Sequence, residues 1–254
     1  MKTFPPPSGY ISITLPTGSA WVLPWAKKSL IASWQKLNPS LPLRLAARRH
    51  PLSGLFRGRA PVVSFPCPGL GSIVVRPCVH GGQWGRLAQD LYFGPSRALR
   101  EVVCSQYLHE KKIPTTEILA VIFYPAGCLL RIDVVTSAIP DSRDFVSFLS
   151  SRPKKMEMKS ALHAIRALFS KLEQNGILHP DLNARNILLA PKAKGPWQAW
   201  LLDVDAVRFE TPNNTFVASA NRSRLLRSLF KRAQLGDLGM TESSVKILWQ
   251  ELFP

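Results

Sequence analysis

The stretch GILHPDLNARNILL, Gly176 to Leu189, sets His179, Asp181, Asn183, Arg185 and Asn186 in one run between apolar residues. A surface loop needs no such hydrophobic shoulders, and a core strand does not tolerate so polar a run. The pattern fits a loop that is anchored from below and aims a carboxylate and an amide into a cleft. Upstream, the spacing predicts a helix over Lys159 to Gln174, with Leu162, Ile165, Leu168, Phe169 and Leu172 on one stripe and Asn175-Gly176 ending it. Downstream, ILLAPKAKGPWQAWLLDVD predicts two strands joined by a turn rich in Pro, Lys and Gly.

H-P-D-L-N-A-R-N has the H-x-D-x-x-x-x-N spacing of a kinase catalytic loop. In that chemistry Asp181 takes or orients the proton of the phosphoryl acceptor, and Asn186 turns back to hold a metal ion. Asp203, at the end of the second predicted strand, stands where a second magnesium ligand is needed. A helix cap or a turn accounts for Asp181 or Asn186 singly; the coupled spacing and the hairpin sequel favour the catalytic reading. His179 is expected to brace the loop by hydrogen bonding rather than to move protons, and Asp205 to shape the loop.

A kinase also needs a cation for the nucleotide phosphates and a carboxylate to position it. Arg76, ending the β-prone GSIVVR, and Glu101, within the next predicted helix (Ser96 to Lys111), fit in order, with a surface salt bridge as the alternative. Arginine brings a planar fork where lysine brings a point charge, so the two are not interchangeable. Gly58, in Leu55-Phe56-Arg57-Gly58-Arg59, is the candidate for letting backbone amides approach the phosphates, although the stretch is no G-x-G-x-x-G.

Elsewhere, residues 1 to 23 read as loose, extended or turn structure. A helix is expected from Pro24, with Leu30, Ile31, Trp34 and Leu37 sharing a face and Trp21, Trp25, Lys27, Lys28 and Lys36 giving an interfacial flavour. APVVSF, GSIVVR and Ile118 to Val135 are strand material; Ser223 to Ala233 and Glu242 to Leu252 are expected helices. The plan is α+β and two-lobed: residues 1–137 hold an N-terminal extension and a lobe with an antiparallel sheet and one helix. Residues 138–254 form a mainly helical lobe with a short β-hairpin.

The chain carries 33 Lys and Arg against 16 Asp and Glu, a net +17. No acidic residue precedes Asp90, and none lies between Glu210 and Asp237, where Arg222, Arg224, Arg227, Lys231 and Arg232 crowd together. Such fields attract polyanions, whether nucleic acid, phosphorylated lipid or an anionic membrane. No nucleic-acid motif accompanies the charge, so nucleic acid is not expected as a partner. The N-terminal segment lacks the apolar run of a signal peptide, and the longest apolar run, broken by Pro125 and Gly127, is too short to span a bilayer. Cys67, Cys78, Cys104 and Cys128 lack zinc-ligand spacing and read as reduced packing residues of a cytoplasmic protein. The sequence leaves the oligomeric state open.

HPDLNARNILL, Arg57-Gly58, Val74 to Arg76 with Gly81-Gly82 following, and WLLDVD (Trp200 to Asp205) together resemble the 3-deoxy-D-manno-octulosonic acid (Kdo) kinases of Gram-negative bacteria, within the lipopolysaccharide kinase family. The basic NRSRLLRSLFK, Asn221 to Lys231, resembles that family's Asn/Arg-rich helix. The resemblance runs from about Gly54 to Lys231, and arginine at position 76 belongs to it. Phe56, where a glycine usually precedes the Arg-Gly pair, and Val204, in place of an aromatic, depart from it. The resemblance implies a protein-kinase-like fold and ATP- and Mg²⁺-dependent phosphorylation of the Kdo 4-hydroxyl on Kdo-lipid IVA, at the cytoplasmic face of the inner membrane. On that reading the basic residues from Asn221 to Arg232 are candidates for the lipid's anionic groups, and contact with the anionic membrane is peripheral. About fifty residues follow Asp203 and no A-P-E signature appears, which leaves little room for a peptide-docking lobe. A kinase for another core sugar such as heptose, and a non-catalytic basic binding module, are the rival readings.

Overall fold

The computed structural model describes residues 4–56, 61–80, 90–192 and 195–254. Contacts divide the chain into two units, Met1–Val103 with Glu117–Ala138, and Cys104–Thr116 with Ile139–Pro254.

The first unit contains β1 (Ile11–Leu15), β2 (Gly18–Val22), α1 (Lys27–Leu37), α2 (Leu43–Ala47), β3 (Gly54–Phe56), β4 (Val62–Cys67) and β5 (Gly71–Pro77). The first part of α3 (Ser96–Glu110), then β6 (Ile118–Ala126) and β7 (Leu129–Ser137), complete it. The strands form one antiparallel sheet in the order β1-β2-β6-β7-β5-β4-β3. Alternation along the strands sends Val63, Phe65, Ile73, Val75, Ile122 and Val135 to one face, against Leu30 and Trp34 of α1 and Leu43, Ala46 and Ala47 of α2. Val121, Phe123, Ile132 and Val134 face the other way, against Ala98 and Val102 of α3. Cover on both faces explains why β6 reads as a continuous apolar run rather than an alternating one.

The N-terminal stretch, read as loose, extended or turn structure, is ordered from Ile11 to Val22 as a β-hairpin joined to the sheet through β6. Gly18 makes this possible, because a Cβ there would lie 1.9 Å from the Phe123 carbonyl oxygen. Trp21, buried edge-on against Phe123 with ring centroids 4.8 Å apart, donates its Nε1–H to the Phe4 carbonyl at 2.9 Å.

The second unit takes the rest of α3, then β8 (Arg143–Asp144), α4 (Phe145–Ser150), α5 (Lys155–Gln174), β9 (Ile177–Leu178), β10 (Ile187–Pro191) and β11 (Trp197–Leu201). It ends with β12 (Arg208–Phe209), α6 (Thr215–Gln234) and α7 (Glu242–Leu252). Asp144 caps α4 by accepting from the Ser147 N–H at 3.1 Å, and Asn214 caps α6 by accepting from the Phe216 N–H at 2.9 Å. With that cap, α6 starts well before the basic stretch that marked it in the sequence. The apolar stripe of α5, Leu162, Ile165, Leu168, Phe169 and Leu172, forms the centre of this unit's core with Leu182, Ala184, Ile187 and Leu201.

One buried polar cluster in the first unit tests the packing. Asp133 of β7 is 3% exposed; its Oδ1 lies 3.4 Å from Arg44 Nε, and its Oδ2 is buried without a hydrogen-bond partner. Burial raises the Asp133 pKa, with the Arg44 charge opposing. The folded value thus stands above the unfolded one, so this group's contribution to stability is fullest at low pH and declines as pH rises through the window above the ordinary carboxylate value. Removing the cation should hurt most when Asp133 is ionised. We expect Arg44→Met to cost about 3 kcal/mol where Asp133 is ionised and progressively less as pH falls toward the ordinary carboxylate range, measured by urea unfolding across a pH series. A loss that does not change with pH would show that the ion pair does not set the cost.

Candidate active site

The two strands downstream of the opening loop fix its geometry. β10 and β11 pair in a register that sets Ile187 opposite Leu201, so the residues just outside the ladder are Asn186 and Leu202. The Leu202 N–H accordingly donates to the Asn186 carbonyl at 2.9 Å. Asp203 follows immediately, which brings the end of the loop and the second candidate carboxylate together at one end of the hairpin. Asp203 has φ 54° and ψ 50°, a left-handed conformation that costs a non-glycine residue roughly 1 kcal/mol or more.

Within the loop, polar and apolar residues divide sharply. Leu182, Ala184 and Ile187 are buried in the core of the second unit, whereas Asp181 and Arg185 are exposed. The Asp181 carbonyl accepts two side-chain amides, Asn183 Nδ2–H at 2.9 Å and Asn186 Nδ2–H at 3.0 Å. The Asn183 carbonyl oxygen, Oδ1, in turn accepts from the Arg185 N–H at 2.9 Å and starts a short 3₁₀ turn over Ala184–Asn186. The peptide after Asp181 is thereby held from two sides, and the Asp181 carboxylate is presented outward.

His179 is fully buried, and its Nε2 lies 3.0 Å from the Leu202 carbonyl. Burial lowers its pKa; the bond to Leu202 and the carboxylates of Asp203, Asp181 and Asp205 oppose that shift. With Nδ1 buried and without a hydrogen-bond partner, the ring is neutral with its proton on Nε2. It ties the loop to the peptide before Asp203 and serves as a brace, as its sequence context suggested.

In the first unit, β5 turns the Arg76 side chain to the face covered by α3, where its Nη2–H donates to Glu101 Oε1. Glu101 is 4% exposed and Arg76 retains partial exposure, so the pair is not a surface salt bridge. Gly58 and the Gly81-Gly82 pair lie outside the described residues.

The donor set can be tested against the magnesium that the loop spacing implies. Asn186 spends its amide N–H on Asp181, which leaves Oδ1 as its acceptor end, and Asp203 is an exposed carboxylate with no side-chain capping bond. An amide oxygen and a carboxylate are hard donors that suit Mg²⁺, which usually keeps water and phosphate oxygens as its other ligands. Among the described residues no three His, Cys, Asp or Glu side chains converge. Zinc-like coordination therefore finds no ligand set there.

Asn221 was quoted in the sequence only as part of a basic helix, yet it reaches the loop. Its Oδ1 accepts from the His179 N–H at 3.0 Å and its Nδ2 donates to the Ile177 carbonyl at 2.8 Å. A polar residue in register with Leu225 on the buried face of α6 was the available signal. Three of the arginines expected to meet lipid have protein partners. Arg222 pairs with Glu173 at 3.5 Å, Arg224 with the Pro180 carbonyl at 2.9 Å and Arg232 with Asp237 at 2.8 Å. Arg227 and Lys231 are exposed on the same helix.

Gly176 enters the loop at φ 65°, where an added Cβ would lie 2.0 Å from the Glu210 carbonyl oxygen. Its own carbonyl accepts from the Glu210 N–H at 2.7 Å, so the close approach is enforced. We expect Gly176→Ala to destabilise the protein by about 2 kcal/mol or more, read by chemical unfolding; a loss of a few tenths would show that β9 and β12 part easily.

The chain is similar to several known proteins. The chain is 30% identical over 186 residues to a 3-deoxy-D-manno-octulosonic acid kinase of Haemophilus influenzae, covering 70% of this chain and 72% of the relative. It is 28% identical over 195 residues to the protein of the same name from Xylella fastidiosa, covering 75% and 74%. A solved structure titled "WaaP in complex with acyl carrier protein" aligns at 16% identity and a TM-score of 0.48, over 87% of this chain and 85% of that one. The model of the Lipopolysaccharide kinase (Kdo/WaaP) family matches residues 67–251, a span that contains Arg76, Glu101, Asp181, Asn186 and Asp203. The chain belongs to the lipopolysaccharide kinase (Kdo/WaaP) family.

Proposed function

We propose that this kinase transfers the γ-phosphoryl group of ATP to the 4-hydroxyl of Kdo on Kdo-lipid IVA, in building the lipopolysaccharide inner core. The observation that carries the reading is the loop itself: Asp181 has its peptide carbonyl held by Asn183 and Asn186 and its carboxylate exposed at the end of the β10–β11 hairpin. The names of the relatives support Kdo as the sugar that is phosphorylated.

In the proposed reaction the sugar hydroxyl oxygen forms a bond to the γ-phosphorus as the bond from that phosphorus to the β,γ-bridging oxygen breaks. Asp181 orients the hydroxyl and receives its proton late, and ADP leaves. Asn186 and Asp203 are the residues that would hold Mg²⁺, which when bound offsets charge on the phosphate oxygens. Arg76, positioned by Glu101, contacts the nucleotide phosphates, and Gly58 lets backbone amides approach them.

The acceptor is an anionic glycolipid, and peripheral contact with the anionic cytoplasmic face of the inner membrane follows from that. Trp25, 58% exposed beside the exposed Lys27 and Lys28, supports such contact. Among the described residues no helix is long and apolar enough to cross a membrane.

The test is transfer of labelled γ-phosphate from Mg-ATP to Kdo-lipid IVA by the purified protein. We expect label in the glycolipid with the native chain and none with Asp181→Asn, which should remain folded and bind ATP. Asp203→Asn should move the magnesium dependence to higher concentration. Near-normal turnover by Asp181→Asn would remove it from its assigned role; label appearing only with heptose-bearing acceptors would reassign the substrate.

A further inference from the structure

Four backbone groups around Asp181 find their partners on one helix face. Asn221 accepts from the His179 N–H at 3.0 Å and donates to the Ile177 carbonyl at 2.8 Å. Arg224 Nε–H donates to the Pro180 carbonyl at 2.9 Å, and Ser228 Oγ accepts from the Ala184 N–H at 3.1 Å. Positions 221, 224 and 228 recur at the helical spacing of a single stripe, and Leu225 and Leu229 bury the same side. Asn221 is 1% exposed, so neither of its bonds has water to replace it.

The chemistry of each group is matched to its task. Between Ile177 and Ala184 the chain runs from a two-residue strand into a 3₁₀ turn, so most of its amides and carbonyls lie outside any ladder. A buried carbonyl two residues before a buried N–H calls for a side chain that both donates and accepts, and of the residues this size an asparagine amide does so without charge. Pro180 has no N–H, so its carbonyl is its own one backbone hydrogen-bonding group, and the Arg224 guanidinium satisfies it.

We propose that Asn221, Arg224 and Ser228 are positioning residues that hold the Asp181 loop in its reactive geometry, acting through its backbone and touching neither nucleotide nor acceptor. The basic character of this helix is then partly a device for shaping the loop, with Arg227 and Lys231 left for anionic ligands. The proposal rests on Asp181 being the catalytic carboxylate.

Full-length Asn221→Leu, Ser228→Ala and Ser228→Thr are compared with the native chain in two ways. One is kcat and KM for ATP in transfer to Kdo-lipid IVA; the other is amide hydrogen exchange across residues 176–186, with α5 as internal control. We expect Asn221→Leu to lower kcat by about 10²-fold while KM for ATP stays within about threefold. Exchange should quicken at 176–186 and remain unchanged in α5. Ser228→Ala should lower kcat roughly fivefold, and Ser228→Thr, which keeps the acceptor hydroxyl, should restore it.

A folded Asn221→Leu with native kcat overturns the proposal, as does faster exchange shared equally by α5, which marks general loss of stability. If Asn221→Leu does not fold, equal kcat for Ser228→Ala and the native chain overturns it. A native chain inactive on this acceptor sinks the acceptor assignment instead. In that case local exchange decides: quickening confined to 176–186 upholds the clamp, and unchanged exchange removes it.

Discussion

The Asp181 carbonyl oxygen accepts two side-chain amide hydrogens, and the second unit is arranged so that it can. A backbone that leaves regular structure must still satisfy its polar groups when it is backed by a core. Here the loop does so with its own asparagines, at two and five residues beyond the aspartate. Asn186 can reach back only because its main chain is already fixed by pairing with Leu202 across the hairpin end. That pairing requires the β10–β11 register, and the register is set by alternate burial of Ile187, Leu189, Ala199 and Leu201 in the core beneath. Local polarity, strand pairing and core packing therefore specify one geometry.

The loop and the hairpin were legible from the sequence because their information is local. Spacing from Asp181 to Asn186 and the run into Asp203 encode short-range contacts, and α5 and α7 declared themselves by apolar periodicity. The pairing of Arg76 with Glu101 was readable only as an order of elements; the ladder between β5 and β7 brings the arginine to α3. Other features were hidden for stated reasons. The β1–β2 hairpin depends on Gly18 fitting against the Phe123 carbonyl, a contact over a hundred residues away in sequence. Helices α2 and α4 are too short for periodicity to show, being five and six residues long. The first part of α6, Thr215 to Arg222, is rich in small and polar residues that a propensity reading leaves as loop, and only the Asn214 cap marks its start.

Charge proved a poor guide to individual roles. The sequence gathers arginines on α6 in a way that suggests an anion-binding face, yet Arg222, Arg224 and Arg232 all have partners within the second unit. Arg222 also lies over the Phe253 ring at 4.9 Å, so its charge is shared between Glu173 and an aromatic face. A net charge is a property of the whole field; the use made of each cation depends on which carbonyl or carboxylate the fold leaves beside it.

Arginine at position 76 has a consequence for chemical labelling. A guanidinium stays protonated throughout the range in which proteins remain folded, whereas an ammonium beside a phosphate site can shed its proton and turn nucleophilic. With Glu101 holding one edge of the fork, position 76 offers hydrogen bonds and charge but no lone pair. Amine-directed nucleotide analogues, which acylate or form imines with a lysine in a phosphate site, have no nucleophile to capture at this position. On the proposed role of Arg76, reagents built on that reaction would find no amine at position 76.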